Sequence, residues 1–568
     1  MKQRKKTERR FTPVRNAKHL MQNLAGHGDK VVYRYYDETG RNLLDMTYAE
    51  FVEMTRAEAA AFAEMGLVGK RIAIIGETSP KWVSTYLATL AGGSVAIPMD
   101  KELAFDEILN FLAVAEADAV VYSKSFGERF AAAAGNHPTV RYFIPMTLRE
   151  EDRDREGIVS LDSLVERGRA LTDYTFPEPE DTERMAEMLF TSGTTGTSKC
   201  VMLCEKNIIS VINAACESVE FFPEDTIVSV LPIHHTYELA CMISGMNYGM
   251  TIGINDSLKR VLKNFATFRP TGLVLVPLFV ETIYKRIWDE AKKKGKDGTL
   301  RFGIKLSRFL RAFGIDIRRK LFGEVLAAFG GRLERIVSGG APLNPKLVRA
   351  FDDFGITIME GYGITECSPL ISVSPYYAIK TGSVGPAVPC CEVRIDGDRI
   401  NEKGFCEGEI IVKGDNVMLG YYANEAANSD AFTEEGWYRT GDVGYMDKDR
   451  YIYITGRKKS VIVLDNGKNV FPEEIEEYLS GVAGVLESVV VGRKSEAGDV
   501  VLTAIIVPDS ENDAIKGKPA EEAQQVIRDQ IREMNKKLAS FKQIKAVEFR
   551  AEPFEKTTSR KIKRHLVK

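Results

Sequence analysis

A chain of 568 residues exceeds what one hydrophobic core ordinarily supports, so two or more domains are expected. Apolar residues make up 44% and charged residues 28%, the balance of a globular chain rather than a disordered or fibrous one. The net charge of −3 argues against nucleic acid as main partner, and eight cysteines without zinc-type spacing argue against a metal scaffold or a disulfide-stapled fold and fit a reducing cytoplasm.

Residues 1–28 read as a separate basic segment; Lys2, Arg4, Lys5, Lys6, Arg9 and Arg10 open the chain, and no apolar stretch of signal type follows. No uncharged run reaches the roughly 20 apolar residues that a transmembrane span needs. Val31–Tyr36 is strand-like. Thr47 and Glu50 form a capping box that starts a helix. Short apolar strands at 71–75, 94–98 and 119–122, with a helix over 81–90, predict an α/β fold with parallel sheet.

The strongest chemical signal is the stretch 189–199. After an apolar run come Thr191, Ser192, Gly193, Thr194, Thr195, Gly196, Thr197, Ser198 and Lys199. Glycine lets successive backbone N–H groups converge on an anion, the hydroxyls add donors, and Lys199 adds a compact positive charge. This composition suits a polyphosphate. It is not the Walker loop, because Gly193 lacks a second glycine at the required spacing and Lys199 is followed by Cys200. Cys200 to Leu203 reads as a strand, so the loop joins two strands.

Further on, 226–232 is a strand ending in Pro232, followed by His234, His235, Thr236 and Tyr237. Neither a carboxylate nor a cysteine cluster completes a metal site around the histidine pair. A buried strand at 273–277 leads to a helix over 279–291. Residues 292–320 are strongly basic, with Phe302, Leu306, Phe309, Leu310 and Phe313 interleaved at helical spacing. Such a segment lies either on an anionic membrane or packed on its own domain with a solvated face.

Small residues then follow a strand at Ser338, Gly339, Gly340 and Ala341, where backbone can approach a flat ligand. Gly361, Tyr362, Gly363, Thr365 and Glu366 come next. Tyr362 can stack on an adenine face, and Glu366 is a hard oxygen ligand suited to magnesium shared with phosphates. Asp442 can accept both hydroxyls of a ribose. The last stretch, 456–568, reads as a small α+β domain. Pro472 opens one of its helices, and another over 519–539 carries Ile527, Ile531, Met534 and Leu538 on one face.

Taken in order, these motifs resemble the ANL superfamily of adenylate-forming enzymes, closest to the long-chain fatty acyl-CoA synthetase branch. The resemblance runs from about Tyr33 to Arg564. It implies a large AMP- and acyl-binding domain over 29–455 and a small mobile C-terminal domain over 456–568, with a hinge near Lys459. It implies ATP, Mg²⁺ and coenzyme A, with a fatty acid activated as acyl-AMP and passed to a thiol. Acylation of a separate acyl carrier protein, activation of an aryl acid, and a catalytically silent nucleotide- or lipid-binding protein are the alternatives. By similarity, 191–199 grips the phosphates, and Thr191 with Glu366 holds the metal. Gly340, Ala341 and Tyr362 surround adenine, Asp442 and Arg457 hold ribose, and His235 and Tyr237 border the acyl pocket. Lys561 serves the first step. Arg560 stands where the family has glycine, and Ser460 where it commonly has Asp.

Overall fold

The structure, a computed structural model, describes residues 11–191, 198–465, 469–495, 499–556 and 562–567. The chain divides into two compact units. Of the described residues, the larger holds those through Glu392 together with 412–436, and the smaller holds 393–411 and those from Trp437 onward.

Two sheets make the frame of the larger unit. In the seven-stranded sheet, Val95–Met99, Arg71–Ile75, Ala119–Tyr122 and Tyr142–Pro145 run parallel, and these strands are apolar on both faces, as helices packed above and below require. Met185–Thr191 and Lys199–Cys204 extend this sheet as an antiparallel pair. The eight-stranded sheet has a parallel centre of Thr357–Gly363, Arg335–Ser338, Gly272–Leu275, Thr226–Ser229 and Thr251–Ile254. The α/β layering read from the sequence is the observed one.

Local sequence explains several elements. Thr47 accepts from Glu50 N at 3.2 Å while its own N–H donates to the Glu50 carboxylate at 2.8 Å, which starts the helix Tyr48–Glu64. Of the stretch 1–28, the structure describes 11–28. Asn16 caps the helix Ala17–Ala25, whose Ala17, Leu20, Met21 and Leu24 are buried in the core of the larger unit. These buried positions form the apolar stripe of an amphipathic helix.

In the smaller unit, Cys391–Ile400, Cys406–Gly414, Tyr438–Met446 and Ile452–Arg457 form one four-stranded sheet. Strand pairing thus draws 393–411 and 437–455 to the smaller unit, ahead of the break at 456 that the resemblance implies. A second sheet, of Val485–Lys494, Val500–Pro508 and Ala546–Phe549, is covered by the helices Pro472–Ser480 and Ala520–Asn535. Ile475, Leu479, Ile506, Ile527 and Ile531 fill the core between them.

Candidate active site

The phosphate-binding signal sits on a hairpin. Thr191 and Lys199 are cross-strand partners, and Thr191 Oγ1 donates to Lys199 O at 3.3 Å. Ser192, Gly193, Thr194, Thr195 and Gly196 lie outside the described residues. Phe190, one residue earlier, stacks on Phe111 with ring centroids 4.1 Å apart and anchors that strand end.

The short strand Gly420–Tyr421 pairs with Lys199–Cys204 and carries Tyr421 beside the hairpin. Lys199 Nζ lies 4.4 Å from the Tyr421 ring centroid, and the Tyr421 hydroxyl donates to Glu366 Oε1 at 2.9 Å. Tyr421 therefore holds the cation and the carboxylate in one cluster, with Thr191 across the ladder. Glu366 stands on the short turn Thr365–Cys367, fixed further by the bond from Met418 N to its carbonyl at 2.9 Å. Among the described residues no three His, Cys, Asp or Glu gather as a metal cage. A single carboxylate clustered with a hydroxyl and a lysine instead fits magnesium, which keeps waters and takes one or two protein ligands alongside phosphate oxygens.

Two neighbouring parallel strands end in small residues. Ser338 and Glu360 are register partners, so Gly339, Gly340 and Ala341 leave one strand as Gly361, Tyr362 and Gly363 close the other. A Cβ on Gly339 would come within 3.2 Å of both Gly361 O and the Tyr237 ring, and one on Gly363 would strike Pro369 O at 1.6 Å. Gly340 has φ +82°, in the left-handed region. Only glycine permits this approach of backbone to backbone.

Gly339, Gly340, Gly361, Tyr362 and Gly363 also line a cavity whose remaining wall is almost wholly apolar. The helix Thr236–Tyr248 gives it one face: Tyr237, Ala240, Cys241, Ser244, Gly245 and Tyr248, at spacings that repeat every turn. Val211 and Ala215 of the helix Glu205–Ser218 and Val274, Val337 and Val373 of the sheet line the rest. The Tyr237 hydroxyl donates to Val337 O at 3.2 Å, with Leu275 O at 3.4 Å, and burial holds its pKa well above the phenol range. The Tyr248 hydroxyl donates to Val219 O at 2.6 Å.

His235 is not part of the cavity wall. It is the cap residue before the helix, so it lies outside the phase of the lining positions. Its ring packs 4.1 Å from that of His234, whose Nε2 is 3.5 Å from Asp100 Oδ2. Burial and the neighbouring His235 push the His234 pKa down to about 3 against the pull of Asp100, so the ring is neutral at physiological pH. Glu238, the next residue, is buried near Ser229, Val230 and Leu231, and burial pushes it up to about 8.

In the smaller unit Asp442 and Arg457 are cross-strand partners, with Arg457 Nε 2.9 Å from Asp442 Oδ1. Glu409, which the sequence did not single out, organises their surroundings. Its carboxylate accepts from Lys458 Nζ at 2.8 Å, from Arg439 at 3.1 Å and from Gly441 N at 3.1 Å. Lys459 is exposed beside this cluster. Lys561 and Arg560 lie outside the described residues. Tyr421, Glu409 and the cavity positions after Tyr237 are the residues sequence reasoning missed; for the last, the helical repeat over 237–248 was the available signal.

Comparison with known proteins gives this arrangement a family. Residues 20–422 match the AMP-binding enzyme family, and 459–568 match the AMP-binding enzyme C-terminal domain. The long-chain-fatty-acid–CoA ligase FadD15 of Mycobacterium tuberculosis is 30% identical over 477 residues, covering 79% of this chain and 75% of that protein. The peroxisomal long chain acyl-CoA synthetase 7 of Arabidopsis thaliana is 28% identical, covering 81% and 70%. The crystal structure of ATP-bound MatB from Rhodopseudomonas palustris superposes with a TM-score of 0.72 at 25% identity, covering 97% of this chain and 98% of that one. The adenylation domain of a carboxylate reductase from Mycobacterium chelonae shares the fold with a TM-score of 0.79 at 22% identity, covering 98% and 89%. With both parts of the family matched in order along the sequence, the chain belongs to the AMP-binding enzymes and is an AMP-forming acid–thiol ligase.

Proposed function

We propose that the protein activates a long-chain fatty acid with ATP and passes the acyl group to coenzyme A. One observation carries this reading: the glycine-rich strand ends suited to a nucleotide line the same cavity as the apolar helix face. A carboxylate bound there has its charged end at the glycines and its tail among Val211, Ala215, Val274 and Tyr248. A carboxylate oxygen attacks the α-phosphorus of ATP, the bond to pyrophosphate breaks, and acyl-AMP results. The coenzyme A sulfur then attacks the acyl carbon, AMP leaves, and the thiol proton goes to solvent.

The residues take the following parts. Ser192 to Gly196 and Lys199 grip the phosphates, and Thr191 and Glu366 would hold the metal. Magnesium supplies charge neutralisation where like charges meet. Gly340, Ala341, Gly361, Tyr362, Gly363 and Thr365 seat the adenine side, and Asp442 with Arg457 the ribose. Tyr237 shapes the acyl pocket. Lys561 screens the carboxylate–phosphate repulsion in the first step, and Lys459 is the hinge for the second. Eight cysteines without a disulfide-type pattern fit a cytoplasmic site of action. No described helix is long and apolar enough to cross a membrane, and peripheral contact suits an acid that partitions into bilayers.

Labelled pyrophosphate exchange into ATP, run across acids from acetate to oleate with benzoates, tests the first step. Coenzyme A against an acyl carrier protein, each as the acceptor thiol, tests the second. Lys561→Ala is expected to abolish acyl-AMP formation while sparing thioester formation from supplied acyl-AMP. Equal loss of both steps removes Lys561 from its role, and absence of exchange with every acid removes the function.

A further inference from the structure

The helix Asp297–Ala312 turns phenylalanines to solvent. Phe302 is 65% exposed, Phe309 62%, and Phe313, just past the helix end, 68%. Its inward residues are small, Gly303 and Ser307. The three phenylalanines are spaced seven and four apart, so they share a face, and the Phe309 and Phe313 rings touch with centroids 5.1 Å apart. Ile315 at 50% exposure continues the apolar surface. Single exposed apolar side chains are ordinary, but a cluster of exposed aromatics on one helix marks a contact surface.

The surroundings are basic. Between residues 292 and 320 stand eleven Lys and Arg against two Asp, in a chain of net charge −3. Some of that charge is used internally: Arg308 holds Asp353, Arg311 holds Asp352, and Arg318 is buried between Asp316 and Asp352. Arg301 and Lys305 remain exposed on the same helix as the phenylalanines. A nucleic acid would use the cations and leave the phenylalanines in water. An anionic bilayer uses both, with aromatic side chains at the acyl boundary and Lys and Arg at the phosphates.

We propose that this face docks the protein on an anionic membrane surface, with Phe302, Phe309 and Phe313 inserted and Arg301 and Lys305 at the headgroups. The preceding helix, Pro277–Lys293, begins just after the strand whose Val274 lines the acyl cavity. Its 17 residues span about 25 Å, so docking brings the cavity to within that order of a bilayer that holds the acid. The purpose rests on the fatty-acid reading; the binding does not, and it is measured without substrate.

The full chain is sedimented with vesicles of phosphatidylcholine, with and without phosphatidylglycerol, at low and high salt. Binding is expected only with phosphatidylglycerol and is weakened by salt. F302S/F309S/F313S is expected to lose about tenfold or more in partitioning, and R301E/K305E to lose the preference for anionic vesicles. Both variants keep the wild-type melting curve and wild-type pyrophosphate exchange with a water-soluble acid. The proposal is overturned if the wild type ignores anionic vesicles or if the triple variant binds as well as wild type. It is equally overturned if the wild type is a dimer that the triple variant splits, since the face would then join two copies.

Discussion

Two helices of the larger unit have opposite relations to water. Thr236–Tyr248 buries almost all of itself, including the polar Glu238, Ser244 and Asn247. Asp297–Ala312 buries Gly303 and Ser307 and exposes aromatic rings. Both segments show helical periodicity, so periodicity identifies which residues share a face but not which face is buried. In the first helix the small side chains of Ala240, Cys241, Ser244 and Gly245 leave room that neighbouring elements do not fill. A binding void comes from too little side chain on a buried face, and a contact surface from too much on an open one.

The largest expected effect lies on the first helix. A Cβ at Gly245 would approach Ile227 Cδ1 at 3.1 Å and Met250 Sδ at 3.7 Å, the ends of flexible side chains, so Gly245→Leu is expected to fold with an overpacking cost of about 1–3 kcal/mol. Its four carbons take space from about four methylenes of substrate, worth roughly 3 kcal/mol at ~0.8 kcal/mol each. The kcat/KM for a long-chain acid should drop on the order of a hundredfold, with short acids little affected. Phe309→Leu on the second helix should leave the chain-length profile unchanged. Parallel losses for short and long acids at Gly245→Leu would break the contrast.

A smaller effect separates the two regions by pH. Burial pushes Glu238 up to about 8, and Glu187 also to about 8. Both are raised above the ordinary carboxylate value. Their contribution to stability is full below about pH 4.5 and is lost as pH rises through about 8. Beside the basic helix the Arg318 guanidinium holds Asp316 well below the usual range, so its contribution is present above the ordinary value and lost in acid. Hydrogen exchange is expected to show 236–248 losing protection as pH rises from about 4.5 to about 8, and 316–321 losing it in acid. Glu238→Gln should flatten the fall in melting temperature between about pH 4.5 and 8; an unchanged slope would dissociate it from Glu238.

The parts legible in the sequence were those written in consecutive residues. The capping box at Thr47 and Glu50 and the apolar run before Thr191 announce local structure, and the structure has both. The Lys199–Tyr421–Glu366 cluster was not legible, because it joins three segments far apart in the chain and nothing local marks Tyr421. Glu409 is hidden for the same reason. The helix expected over 519–539 stops at Asn535, whose side chain accepts from Ile544 N at 3.0 Å and donates to Ile544 O at 2.8 Å. A polar side chain that takes over backbone bonding ends a helix its apolar stripe would continue. Leu538 is still buried, beyond the helix rather than on it.

The smallest expected effect is on folding stability at the exposed helix. Phe309→Ser removes a ring that is 62% exposed, so little transfer energy is lost, and the change in unfolding free energy should stay within about 0.5 kcal/mol. Leu239→Ala on the first helix removes a side chain only 3% exposed and should cost about 2–5 kcal/mol. Denaturant midpoints of the two variants at constant slope measure that ratio. If Phe309→Ser costs as much as Leu239→Ala, the ring is packed within the folded chain. The outward face would then be part of the core, and the opposition between the two helices would fail at its exposed end.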